Sequence, residues 1–219
     1  MKLSVVIPAF NEAEALPDTV TGLNRTLREA GIEHEILVVN DNSRDNSAEV
    51  LGRLGEKISE LRVVNNDPPN GFGFAVRCGL ENFTGDAVAL FMADASDDPQ
   101  DLVKFFREME EKKVDCVFGD RWCREGRVVD YPVVKRCMNR IFNWGVSVVF
   151  MLRYHDVTNA FKLYRAPVIR GVAPLLSHHF NLTLEIPLKA IIRGYTYTIV
   201  PNTWTNRKTG IAKLKIREM

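Results

Sequence analysis

Along the first 110 residues, short apolar runs repeatedly stop at polar or acidic positions and give way to segments with helical spacing. The run at 3–7 (LSVVI) halts at Pro8 and passes through a polar turn into helix-like sequence. That at 36–39 (ILVV) ends in a turn over 40–47 before a second helix. ELRVV opens onto the glycine-rich NGFGFAVRCG and a third helix, and DAVALF ends just before Asp94, ahead of a helix starting at Pro99 or Gln100. Short β-branched runs alternating with amphipathic helical segments predict βαβ units and an α/β fold with a mostly parallel central sheet and flanking helices. Ligands of such sheets bind beyond the carboxyl ends of the strands. Residues 8–12, 40–45 and 94–98 are therefore expected to converge on one crevice.

After Phe118 the pattern changes. Residues 119–147 carry Arg121, Arg124, Arg127, Lys135, Arg136 and Arg140 against Asp120, Glu125 and Asp130, and run into the apolar IFNWGVSVVFML. Those residues are too few to span a bilayer, which takes about 20, and are expected along an interface or in the core. Basic residues also dominate 193–219, with Glu218 the acidic exception. No repeat or linker divides the chain, so one domain over 1–219 is expected.

Composition narrows the classes. The 219 residues are 46% hydrophobic, enough for a sizeable core. The formal net charge of +1 provides no overall basic field, so no nucleic-acid partner is expected, and no oligomeric state is implied. Cys78, Cys116, Cys123 and Cys137 form neither a disulfide scaffold nor a CxxC knuckle, which fits a reducing cytoplasmic setting.

Carboxylates at the ends of adjacent strands suit a nucleotide sugar, one accepting hydrogen bonds from base or ribose and another holding a divalent metal against the diphosphate. Asp41 and Asp94 occupy such positions, with Glu12, Ser96, Asp97 and Asp98 nearby. Turn or helix capping is the competing reading for Asp41, Asp45, Ser96, Asp97 and Asp98. Gly71, Gly73 and Gly79 serve either close approach of a nucleotide or a tight turn with helix packing. Arg121 directly after a strand and Arg136 one turn past Pro132 are the best phosphate-binding candidates, against a merely solvated basic face. The adjoining apolar stretch favours an amphiphile with an anionic head. Asp156 and Glu185 either orient hydroxyls or form salt bridges and caps, while His178 and His179 lack a third ligand at zinc spacing.

The ordered set VVIPAFNE, VVNDNSRDNS, NGFGFAVRCG, LFMADASDDP and GDR, followed by DVTNAFKLYR, FNLTLEIPLKAIIRGY and WTNRKTGIAKLKIREM, resembles the family 2 glycosyltransferases of GT-A fold. Within them it is most similar to the dolichyl- or polyprenyl-phosphate mannose or glucose synthase branch. The resemblance implies a nucleotide-sugar-binding GT-A domain over 1–219, with 119–219 as its acceptor-side and membrane-surface portion. It also implies inverting sugar transfer from GDP-mannose, or from UDP-glucose, to a polyprenyl or dolichyl phosphate at the cytoplasmic membrane face. Pro8, Ala9, Glu12, Asp41 and Gly71 would surround the donor, Mg²⁺ or Mn²⁺ would be held by Asp94 with Ser96 or another nearby group, and Arg121 and Arg136 would grip the acceptor phosphate. Asp156 opens the segment DVTNAF, where the family pattern is DxxxGF. The first acid of the family's DxD motif falls on Met92, and DDGS is replaced by NDNS, with Asn40 in place of an acid.

A phosphate monoester is already anionic near neutral pH and needs no strong general base to attack an anomeric carbon, so alignment and neutralisation of the leaving diphosphate carry such a reaction. Two other readings use the same fold: transfer to a glycan or small molecule, and a donor-binding domain without turnover. A redox Rossmann enzyme is disfavoured because the glycines do not follow the first strand.

Overall fold

A computed structural model describes residues 1–206; the basic tail carrying Arg207, Lys208, Lys213, Lys215 and Arg217 lies outside the described residues. The predicted βαβ series is present as β1 (Leu3–Ala9), α1 (Leu16–Glu29), β2 (His34–Asn40), α2 (Ser47–Gly55), β3 (Leu61–Asn65), α3 (Phe72–Asn82), β4 (Ala87–Leu90) and α4 (Pro99–Lys112). Then follow β5 (Cys116–Asp120), β6 (Arg127–Val129), α5 (Val133–Val149), β7 (Lys162–Arg165), α6 (Ala166–Val172), α7 (Leu182–Ile192), β8 (Tyr197–Pro201) and β9 (Thr203–Thr205). The main sheet runs β3-β2-β1-β4-β7-β5-β8, and β6 pairs with β9 in a small second sheet. The sheet is mostly parallel, as expected, but β7 is antiparallel to both β4 and β5.

Side-chain alternation sorts each strand into two cores. Val5, Ile7, Ile36 and Val38 pack with α1, α2 and α4 on one face, while Val6, Leu37 and Val39 pack with α3, α6 and α7 on the other. Burial on both faces explains the unbroken apolar runs. β1 continues past Ile7 through Pro8 to Ala9, with Pro8 beside Val39 and Ala9 beside Asn40. Gly79 is a packing glycine: a Cβ there would run into Val6 and Val39 where α3 crosses the strands. Gly73 sits against the His178 backbone, and Gly71 has a φ of 136°, which favours glycine.

At the opposite end of the sheet, the buried Glu35 accepts hydrogen bonds from Ser4 Oγ (2.5 Å), Thr84 N (2.6 Å) and Thr84 Oγ1 (2.9 Å), and pairs with Arg62. Burial by itself would raise the Glu35 carboxyl, but the bonds from Ser4, Thr84 and Arg62 outweigh it and hold the pKa down at about 2, against an ordinary 4.5. A depressed carboxylate contributes stability above its unfolded pKa and loses it as pH falls toward the folded one. Glu35→Gln should therefore cost about 1–3 kcal/mol at pH 7 in denaturant unfolding, with the difference from wild type shrinking as pH is lowered from 4.5 towards 2.

Candidate active site

The carboxyl ends of β1, β2 and β4 open onto one crevice, and the turns lining it are laced together. Asn11 N donates to Ser43 Oγ (3.0 Å), Arg44 N to Asn11 Oδ1 (2.7 Å), and Glu12 N to Ser47 Oγ (3.1 Å), so the turn after β1 is bound to the turn after β2. Asp45 serves as a local cap, accepting from Ser47 N and Ala13 N. Asn40, the residue in place of an acid, accepts from Ser43 N and donates to Asn65 at the end of β3. Asn11, Asn42 and Ala95 have φ of 51°, 58° and 56°, so left-handed backbone recurs where three strands end. Such backbone costs energy and concentrates at functional sites.

Asp41 is buried at the end of β2. Its two oxygens accept from Asn66 Nδ2 (2.7 Å) and Gly71 N (2.8 Å), tying β2, the end of β3 and the start of α3 into one wall. The capping reading of Asp41 therefore holds, and each oxygen keeps a second lone pair for a ligand. Asn66, which sequence reasoning missed, is the partner that orients this carboxylate; its place just past the third apolar run is its only sequence signal.

The turn after β4 carries the acidic residues. Asp94 is half-buried and accepts from Ser96 N (3.1 Å); Ser96 is buried, and its carbonyl accepts from Thr205 N (2.9 Å). Asp98 caps α4 through Gln100 N (2.9 Å), as the capping reading expects. Asp97 is no helix cap: it turns inward to accept from Met92 N (3.3 Å). Burial and the neighbouring Asp94 push the Asp97 carboxyl up to about 7. Among the described residues no group of three or more His, Cys, Asp or Glu side chains converges as a metal cage. One carboxylate plus substrate phosphates is nonetheless a usual Mg²⁺ environment, so Asp94 with Ser96 fits an ion shared with a diphosphate.

On the other side of the crevice, Arg121 and Asp156 meet each other. Asp156 accepts from Arg121 N (3.0 Å), Nε (2.8 Å) and Nη2 (2.8 Å), and both side chains are buried. Burial opposes the guanidinium charge, but the carboxylate beside it outweighs that and keeps Arg121 ionised. Asp120, also buried, accepts from Trp122 N and Cys123 N and fixes the turn leaving β5. Arg121, Arg136 and Arg140 lie 5.7, 5.5 and 5.6 Å from the Trp122 ring centroid. Tyr131 stands edge-on to both Trp122 (5.8 Å) and Trp204 (4.9 Å), and Trp204 bridges to Asp97. This aromatic row, unread in the sequence, joins the acidic turn to the arginines. Glu185 lies apart from them: it accepts from Leu176 N, Ser177 N and Lys189, a structural role. His178 stacks on Phe74 and is a packing residue.

Helix α5 presents its polar side inward. Asn139, Asn143 and Ser147, spaced by four, form the inner stripe. Asn139 accepts from Trp122 Nε1 and donates to Thr158 Oγ1, Asn143 donates to Thr158 Oγ1 and accepts from Thr158 N, and Ser147 donates to the Tyr154 carbonyl. Asn143 is 1% exposed, while Trp144 is 69% and Val149 74% exposed. The apolar stretch thus takes neither a buried core place nor a spanning one; among the described residues no helix is long and apolar enough to cross a membrane.

A sequence profile described as "Glycosyl transferase family 2" matches residues 4–172. The chain is similar to the dolichol-phosphate mannosyltransferase of Pyrococcus furiosus (28% identity, covering 98% of this chain and 60% of that one). It is also similar to the undecaprenyl-phosphate mannosyltransferase of Micrococcus luteus (26% identity, covering 98% and 88%). It thus spans about three-fifths of the Pyrococcus protein's length. Among solved structures, S. aureus TarS superposes with a TM-score of 0.70 at 17% identity, covering 94% of this chain and 60% of that one. Glucosyl-3-phosphoglycerate synthase from Mycobacterium tuberculosis, in complex with Mn²⁺, UDP-glucose and phosphoglyceric acid, superposes with a TM-score of 0.72 at 14% identity, covering 94% and 72%. Strand order, the laced strand ends and a profile match across most of its length all agree that the chain belongs to glycosyl transferase family 2.

Proposed function

We propose that this chain transfers a sugar from a nucleotide diphosphate sugar to an acceptor whose nucleophile is a phosphate oxygen. The observation that carries the reading is the pairing of an acidic turn at the end of β4 with arginines gathered on Trp122, linked by Tyr131 and Trp204. Pro8, Ala9, Glu12, Asp41 and Gly71 line the donor side. Asp94 with Ser96 would hold Mg²⁺ or Mn²⁺, which when bound neutralises charge on the leaving diphosphate.

Arg136 and Arg140 are exposed, one helical turn apart, and address the acceptor phosphate. Asp156 takes Nε and Nη2 of Arg121, so Nη1 is the edge from which Arg121 would meet the same phosphate. The phosphate oxygen forms the new bond to the anomeric carbon as the bond to the nucleoside diphosphate breaks on the opposite face, inverting the centre. The electron pair leaves with the diphosphate. An already anionic phosphate gives up no proton, so no general base is assigned.

Two acceptor classes have specific support. A polyprenyl phosphate is favoured by α5, whose outward face sets Ile141, Trp144, Val148 and Val149 in the open beside Lys135, Arg136 and Arg140, matching an apolar bilayer with anionic head groups. The two mannosyltransferase relatives act, by their names, on lipid phosphates. A soluble acceptor is favoured by the solved synthase, which holds phosphoglyceric acid with UDP-glucose in a domain of the same fold. The arginines would read either phosphate.

Product formation from GDP-mannose, UDP-glucose and UDP-N-acetylglucosamine with a short polyprenyl phosphate or with phosphoglyceric acid, in Mg²⁺, Mn²⁺ or EDTA, tests both classes. Lipid-linked sugar supports the first, a soluble product the second, and donor binding without any product overturns the transfer reading. Asp94→Asn should lower metal-dependent turnover by about 10²-fold, and Arg136→Ala should raise the acceptor KM about tenfold. Asp156→Asn, which strips the buried Arg121 of its charge partner, should cost about 3 kcal/mol in denaturant unfolding. Trp144→Ser with Val149→Ser should weaken binding to anionic vesicles by about tenfold or more, given about 1.5–3 kcal/mol per buried apolar side chain, and leave nucleotide binding intact.

A further inference from the structure

Strand β7 places one lysine in the interior, and neither the donor side nor the acceptor arginines uses it. Lys162 is 1% exposed. Its ammonium donates to the carbonyls of Val157 (2.9 Å), Asn159 and Thr183 (3.4 Å), and lies 5.8 Å from the Tyr154 ring centroid. An ammonium has three N–H donors, and three carbonyls receive them. Two of those carbonyls belong to the loop 156–159, and the third comes from the first turn of α7.

That loop is the hub of the acceptor half. Asp156 holds Arg121, Thr158 holds Asn139 and Asn143 of α5, and Asn159 donates to the Gly119 carbonyl and to Asn202 Oδ1. It thereby reaches the end of β5, the helix that carries Arg136, and the turn between β8 and β9. Its backbone carbonyls are drawn inward onto Lys162 while its side chains point to these three neighbours. A neutral side chain of similar length would fill the volume and leave the carbonyls without donors.

We propose that Lys162 is the positioning residue of the acceptor half, its charged ammonium fixing the loop 156–159 and, through Asp156 and Thr158, the placement of Arg121 and Arg136. The proposal deepens the acceptor reading and rests on it for the role of the arginines, but not for the behaviour of the loop. The charged and titratable groups facing the ammonium are Asp156, Arg121 and the Tyr154 phenol, with Asp120 beyond Tyr154; α7 faces it with the Thr183 carbonyl. Burial lowers its pKa to about 7, Asp156 pulls it back upward, and Arg121 lowers it further. A neutral amine has two N–H groups for three carbonyls, so loss of the proton frees part of the loop.

The direction of the pH effect separates this role from a general structural one. An unfolded lysine keeps its proton to about 10.5, so between 7 and 10.5 the unfolded state binds more protons than the folded one. Global stability therefore rises with pH across that window, while protection of the loop should fall.

The test is amide hydrogen exchange over 156–159, corrected for intrinsic rates, on wild type, Lys162→Met and Lys162→Arg, with nucleotide-sugar binding and acceptor kinetics on the same proteins. Wild type should lose loop protection by about tenfold from pH 6 to 8 with no loss of global stability. Lys162→Met should be unprotected at both values. It should bind donor as wild type does and raise the acceptor KM about tenfold or more. Lys162→Arg, charged throughout, should keep its protection at pH 8 and restore most of the acceptor KM. Unchanged loop exchange in wild type across that range, or in a folded Lys162→Met, overturns the proposal. If Lys162→Met does not fold, wild type and Lys162→Arg decide it by exchange. If no phosphate acceptor turns over, the acceptor reading fails while the exchange result still judges Lys162.

Discussion

The acceptor half of this protein is organised around one buried ion pair. Arg121 leaves the end of β5 and Asp156 sits 35 residues later in the chain, yet the carboxylate receives the arginine's backbone N–H and two edges of its guanidinium. Burying either charge alone would cost several kcal/mol, so each makes the other tolerable. Once the pair forms, Trp122 is held beside Arg121, α5 is drawn in through Asn139 and Thr158, and Tyr131 and Trp204 close the distance to the acidic turn. The donor half is built differently, from backbone turns laced by Asn11, Ser43 and Ser47, with Asp41 as its buried carboxylate. One half is a charge locked by geometry, the other a set of strand ends held by short polar side chains.

The difference decides what could be read from the sequence. Strand runs buried on both faces are continuous, so β1, β2 and β4 were legible, and their polar ends marked Asp41 and Asp94 because the break in the apolar run is itself the signal. Asp98 was legible as a cap for the same reason. The antiparallel β7 was not: its four residues include Lys162 and Arg165, and only tertiary contacts make a lysine acceptable in a central strand. Arg121 and Asp156 were each singled out, but their mutual pairing depends on strand order, which no local pattern encodes. Asn66, Trp122 and Tyr131 went unread because an asparagine or an aromatic ring carries no periodic signature until its neighbours are in place.

The acidic turn illustrates how one substitution reshapes a neighbourhood. With Met92 where the family motif has an acid, the turn keeps a carboxylate beside Asp94 by folding Asp97 back onto the Met92 N–H. The left-handed Ala95 between Asp94 and Ser96 makes that reversal, and the bridge from Asp97 to Trp204 anchors it. The acidic and aromatic parts of the site are thus adjacent through backbone as well as side chains.

The narrow polar stripe of α5 has a consequence for how this protein can vary. Asn139, Asn143 and Ser147 lie on one line, and each residue added or removed ahead of them would rotate that line by about 100°. A single insertion in the turn before Val133 would swing the asparagines away from Thr158 and carry valine or phenylalanine into a polar seam. The outward residues face no such demand, since any apolar side chain serves there. Descendants of this sequence are therefore free to drift along one side of the helix while the length of the turn that precedes it stays fixed.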